Sequence, residues 1–273
     1  MPAALIGGFG DVSGRPGLRD AEVWWRRKEW DTARGTKAEA IGWRSKMYRL
    51  QAPAPGGDPD VVDAVWDVVE PRLPGAVGRL QRGTDTAEDR SWLVVYAAMA
   101  GVRHPDFQEA INRWRLEAGQ PAVSGDAVHM VRLEALANGL ELIETWRWRI
   151  LHSPPEAPRF ILNDRAWSYV PQLRRDAQGR RALYLPLNSR LSAVAWLGPA
   201  GGFDHRVLRP NWVRWLNGVT WSAAPLFIVG HPQDRTALAA QPTADEVALQ
   251  PITMNLSSFQ GDGVVGKFLF DEM

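Results

Sequence analysis

The sequence contains no cysteine. That removes disulfides, thiolate nucleophiles and cysteine-ligated zinc or iron–sulfur centres. Lysine is scarce too, present only at positions 28, 37, 46 and 267, so the basic side chains are nearly all arginine. No apolar run approaches the roughly 18–20 residues of a membrane span. The opening stretch, Met1 to Asp11, lacks a basic segment, and its apolar part is short and broken by glycine, so it does not read as a signal peptide. The expectation is a cytoplasmic protein with no membrane partner. An excess of either charge is also missing: Lys plus Arg is 32, Asp plus Glu 31, and the formal net charge is +1. That balance does not by itself imply a nucleic-acid or membrane surface, although local basic patches remain open. The sequence has neither G-x-S-x-G nor H-E-x-x-H. Its five histidines, at 104, 129, 152, 205 and 231, have no metal-ligand spacing.

The 273 residues are 45% hydrophobic, enough for a real core. Arginine and alanine richness points to a GC-rich bacterial genome. Tryptophan is abundant, at 14, and several stand beside arginine: Trp24 and Trp25 before Arg26 and Arg27, Trp43 before Arg44, Trp114 before Arg115, and Trp146, Arg147, Trp148, Arg149 in series. Such pairs can form base-stacking platforms. The simpler reading places tryptophan in or beside the core, with arginine snorkelling from its border.

Along the chain, residues 21–25 and 47–50 read as short strands, and 51–57 as a low-complexity linker. Four helices follow. Asp58 with Pro59 opens the first, which Pro71 and Pro74 kink or end. Thr86 and Asp89 suggest a capping box for the second. Pro105 begins the third, and Ser124 caps a fourth over about 126–143. The period then changes. Trp146, Trp148 and Ile150 alternate with Arg147 and Arg149, a strand with one wet face. Further strands are read at 159–162, 182–185, 191–197 and 226–229, with a hairpin turn at 176–179 and a helix over 211–221 whose Trp212, Trp215, Leu216 and Val219 share a face. Helices in one block and strands in another predict an α+β fold. We read a single domain over 1–273, with a helical layer (about 58–143) on a mostly antiparallel sheet (about 145–230) and a poorly defined tail over 233–273.

Two motifs near the end carry little chemistry. Gly261, Gly266 and Lys267 have phosphate-loop spacing, but Phe268 stands where Ser or Thr would hold Mg²⁺, and too few residues follow for the helix such a loop requires. A glycine turn before a last strand at 267–270 is the preferred reading. Asn255 to Ser257 fits a glycosylation pattern that matters only in a secreted protein. The strongest local feature is Phe160, Ile161, Leu162, Asn163, Asp164, Arg165. An apolar strand ends there in two polar residues, which presents a carboxylate at a sheet edge. Equally, Asp164 could bond backbone N–H groups of a turn.

The phrase from Phe160 to Ala166, with Leu185, Pro186, Leu187 and Asn188 after a hairpin, resembles an uncharacterised bacterial family, domain of unknown function 4238. Arg103, His104 and Pro105 fit that family's R-x-P phrase, Leu216 and Asn217 its L-N phrase, and residues from Pro2 to Phe9 the second half of its opening phrase. This chain has Asn163 for the family's usual Ser and Ala166 for its Pro, and it lacks the opening His. The resemblance implies an α+β architecture without supplying a reaction, and links the chain to phage-defence or toxin-like genes. It also implies that the start is misplaced, Met1 standing where a GTG valine codon was read as an initiator. The residues inside these phrases, Asp164, Asn163, Arg103 and Asn217, form the candidate binding site.

Three functions compete. The first is an interaction or regulatory module with an unknown protein partner, favoured because no catalytic set is visible. The second is a hydrolase or nuclease in which Asp164 and other carboxylates hold Mg²⁺. The third is a binder of single-stranded nucleic acid, which requires the arginine–tryptophan pairs to share one exposed face. No cofactor is predicted otherwise.

Overall fold

The computed structural model of the protein describes residues 3–14, 17–41, 48–53, 55–171, 181–196 and 202–240. Several sequence features lie outside these: Pro2, Trp43 with Arg44, Met47, the turn at 176–179, Leu197, and the features at 255–257, 261–267 and 267–270. A short helix, α1 (Ala3–Gly7), precedes a hairpin of β1 (Glu22–Arg27) and β2 (Arg34–Lys37). The helical block then runs through α2 (Val61–Val69), α3 (Leu73–Arg82), α4 (Ala87–Arg103), α5 (Phe107–Glu117) and α6 (Asp126–Glu144).

Local chemistry explains most of these boundaries, and corrects some expected ones. Asp58 does not open α2. Its carboxylate accepts from the Asp60 N–H at 2.8 Å, and the helix starts at Val61. Helix α3 is not among the four helices expected from sequence. Pro74, expected to kink or end a helix, sits instead in the first turn of α3, where proline forfeits no hydrogen bond. The helix ends on Gly83 at φ 67, a left-handed cap that glycine adopts without steric cost. The capping box is present: the Thr86 hydroxyl accepts from the Asp89 N–H at 3.2 Å, and the Asp89 carboxylate from the Thr86 N–H at 2.9 Å. Arg79 of α3 reaches the same carboxylate at 2.8 Å, tying two helices together. At α6 the residue before the helix is Gly125, not Ser124. Asp126 instead accepts from the N–H groups of Gln51 and Ala52, at 2.7 and 2.8 Å, fastening part of the expected linker to the helical layer. The small residues Ala97, Ala98 and Ala100 of α4 are buried, and α4 packs along α6.

The second half supplies β3 (Arg147–His152), β4 (Leu162–Asn163), β5 (Ser168–Pro171), β6 (Arg181–Asn188), β7 (Leu191–Trp196), β8 (Gly202–Val207), α7 (Pro210–Ala223), β9 (Phe227–Gly230) and α8 (Arg235–Ala239). Helices pack against two sheets in a mixed α+β fold. The five-stranded sheet has the order β5-β6-β7-β3-β8, and the four-stranded sheet β2-β1-β9-β4. Pairing is antiparallel except between β3 and β8. The strand block therefore does not form one sheet: β4 and β9 leave it to join the N-terminal hairpin. A two-residue period marks a strand but not its partner, so the sequence could not separate the two sheets.

On the inner face of the larger sheet, Trp148 stacks on Phe203 at 5.7 Å, and Arg90 of α4 covers Phe203. Trp146, Trp148 and Ile150 are buried, as the alternation requires. On the opposite face α7 covers part of the sheet and leaves part open. Among the described residues no helix is long and apolar enough to cross a membrane.

Candidate functional site

The four residues singled out from sequence fall into two groups. Asp164 follows β4 and closes the start of β9. Its backbone N–H donates to the Phe227 carbonyl at 3.2 Å, and its carboxylate accepts from the N–H groups of Leu226 (3.2 Å) and Phe227 (3.4 Å). His104, just past α4, brings Nε2 to 3.5 Å of the same carboxylate, and both side chains are buried. The His104 Nδ1 accepts from the Asp106 N–H at 3.2 Å, so the ring bridges the start of α5 to the sheet. Arg103 turns elsewhere. It pairs with Glu70, its guanidinium lying over the rings of Tyr48 and Trp66. Burial works against its charge, but Glu70 and Tyr48 hold its pKa above the usual value. Arg103, His104 and Asp164 line one small cavity of about 40 Å³ with Tyr96 and Ala166.

Asn163 of β4 faces α7, and Asn217 sits on α7 facing the chain that leads into β4. The buried Asn163 amide donates to the Ser168 hydroxyl and the Trp167 carbonyl, each at 3.1 Å. Asn217 accepts from the Ile161 N–H at 3.2 Å and donates to the Arg159 carbonyl at 2.7 Å. Thus Asp164 and Arg103 share a cavity, while Asn163 and Asn217 brace backbone on the other side. The turn after Asp164 places Ala166 at φ 67. Proline, which the family phrase has at that position, cannot take that angle. Among the described residues no group of three or more His, Asp or Glu side chains converges to hold a metal ion.

Two arrangements were not visible in the sequence. The first is a chain of ring nitrogens on the inner face of β3 and β8. Asp85 accepts from Arg90 at 2.7 Å and lies 3.0 Å from His205 Nε2, and His205 Nδ1 lies 3.0 Å from His152 Nε2. Burial, and then His205, lower the His152 pKa. Burial opposes ionisation of Asp85, but its bonds from Arg90 and backbone keep its pKa low.

The second is a groove of about 760 Å³ on the outer face of the five-stranded sheet. Strand alternation sends Arg147, Arg149 and Leu151 of β3 to this face, opposite Trp148 and Ile150. β7 adds Trp196, β8 adds Arg206, and the turn into α7 adds Arg209. α7 buries Val213, Leu216, Asn217, Thr220 and Trp221. Trp212 and Trp215, read from sequence as sharing a face with Leu216 and Val219, rim the groove, 38% and 36% exposed, their rings edge-on at 5.6 Å. Arg149 is held by Asp204 through two bonds of 2.6 and 2.8 Å, and its guanidinium lies 5.5 Å from the Trp196 ring centre. Among the described residues every side chain lining the groove is arginine or apolar, with no carboxylate. By contrast, Trp114, Trp146 and Trp148, from the conspicuous sequence pairs, are core residues.

Compared with known proteins, the chain matches no family model, no curated protein and no solved structure.

Proposed function

We propose that this protein is a binding module without chemistry of its own, and that it takes an extended anionic partner in the groove between the outer sheet face and α7. The observation carrying this reading is the lining itself: four arginines and three tryptophans gathered from four elements, with Asp204 beside them engaged by Arg149. Asp204 is bonded to Arg149 and acts on Arg147 and Arg206 only at longer range, so one carboxylate stands against four arginines and leaves net positive charge for a ligand. Cations in a concave, partly apolar setting attract anions more strongly than the same charges on a convex surface. A metal-dependent hydrolase draws no comparable support, because Asp164 already accepts from two backbone N–H groups and stands against His104.

Inorganic polyphosphate, a polyanion without aromatic groups, tests the reading. Titrated into the full chain at low salt, it is expected to bind, and Arg206→Glu to weaken binding about tenfold. Arg206 is exposed on an edge strand, so the variant folds. Undetectable binding by the wild-type chain would sink the proposal.

A further inference from the structure

We infer that the partner is single-stranded nucleic acid, an inference that rests on the groove being an anion-binding face. Arginine alone would serve any polyanion. The tryptophans narrow the choice. Trp196 lies within the groove under Arg149, and Trp212 with Trp215 stand at its rim with about a third of their surface open. Partly exposed indoles beside cations are costly as mere surface, yet they suit a ligand that presents a flat π face next to each negative charge. Nucleotides of a single strand do so. A duplex does not, because its bases are stacked inward and only phosphates would reach the arginines. An acidic peptide matches the charge but has nothing flat to place on the rings.

The lining also says how such a strand is read. No Asn, Gln, Asp, Glu, Ser or Thr lines the groove among the described residues, so arginine is the one base-edge reader there, and we assign it to phosphates. Stacking and phosphate contacts remain, and these tolerate any sequence. Arg149 is committed to Asp204, which leaves Arg147, Arg206 and Arg209 for phosphates. Three phosphate contacts on a single strand give a slope of log K against log salt of about −2.

The experiment titrates the full chain with the oligonucleotides dT10 and rU10, a ten-base-pair duplex, polyglutamate and polyphosphate, following tryptophan fluorescence and anisotropy. Expected are quenching by the single strands, affinity for them at least about tenfold above the duplex and polyphosphate, and the shallow salt slope. Trp212→Ala and Trp215→Ala should each weaken single-strand binding about tenfold while leaving polyphosphate binding unchanged. Arg206→Glu should weaken both. Melting curves identify any tryptophan variant that fails to fold, in which case the wild-type preference for single strands over duplex and polyphosphate carries the test. If polyphosphate, duplex and single strands bind alike and the tryptophan variants change nothing, the nucleic-acid inference falls while the anion-binding reading stands. Equal or tighter binding of polyglutamate also overturns it, in favour of an acidic protein partner. If no polyanion binds, both fall.

Discussion

Lys28 is a buried cation without a hydrogen-bond partner among the described residues. It is 5% exposed, and its ammonium has no hydrogen-bond acceptor, resting instead 4.2 Å from the centre of the Trp221 ring. Arg26 lies over the same ring at 5.0 Å. Burial lowers the Lys28 pKa, the Asp164 carboxylate opposes that shift, and Arg26 adds to it. A buried ammonium with a ring face and a distant carboxylate but no hydrogen-bond acceptor loses more hydration than it regains. Lys28→Met keeps the stem's packing and removes the charge, so it is expected to raise stability by about 1–3 kcal/mol, read from urea midpoints. The sign of the pH dependence follows. The unfolded chain holds this proton up to about pH 10.4 and the folded chain releases it sooner. Wild-type stability from this group therefore rises with pH between the folded pKa and that value, and Lys28→Met lacks the rise. A variant less stable than wild type would mean that the ring contact outweighs the lost hydration.

At the scale of elements, single side chains often stand in for strand neighbours. Asn217 of α7 supplies the partners of the Ile161 N–H and the Arg159 carbonyl, backbone groups just outside β4. Asn217→Leu leaves both unpaired in a buried setting and is expected to cost about 2–4 kcal/mol, measured by thermal or urea unfolding. A loss below about 0.5 kcal/mol would show that water replaces the amide. What the sequence revealed follows the same division between local and distant causes. The capping box of Thr86 and Asp89, and the alternation of Trp146, Trp148 and Ile150, are properties of neighbouring residues and could be read directly. Helix α3 escaped because a proline such as Pro74 can end one helix or open the next, and only the backbone around it decides which. Asp164 could be placed at a strand end, but its partners, the N–H groups of Leu226 and Phe227 and the His104 ring, lie some 60 residues away on either side. The groove was the least legible part, since its arginines and tryptophans come from β3, β7, β8 and α7 and only packing makes them neighbours.

For the whole molecule, acid is the weak side. Burial is the first cause lowering the pKa of His129, His152 and His231. Above about pH 6.5 these rings are neutral in both states and stability is full. As the pH falls from there, the unfolded chain takes up protons first, so stability declines until the folded pKa values are passed. Urea midpoints between about pH 7.5 and 5 should therefore fall, and His152→Gln should shallow the slope. A flat profile would contradict the neutral, half-buried rings. The pairing of β1 with β9, Trp24 opposite Gly230 and Arg27 opposite Phe227, joins segments some 200 residues apart. That distance is also an interval of time. At about 5–20 residues per second, a ribosome delivers β9 roughly 10–40 seconds after β1. The helices, built from near neighbours, can assemble meanwhile. Until β9 arrives, the newborn β1, carrying Trp24 and Trp25, keeps one edge of unpaired backbone open to strands of other chains, so misassembly during synthesis concentrates at this hairpin.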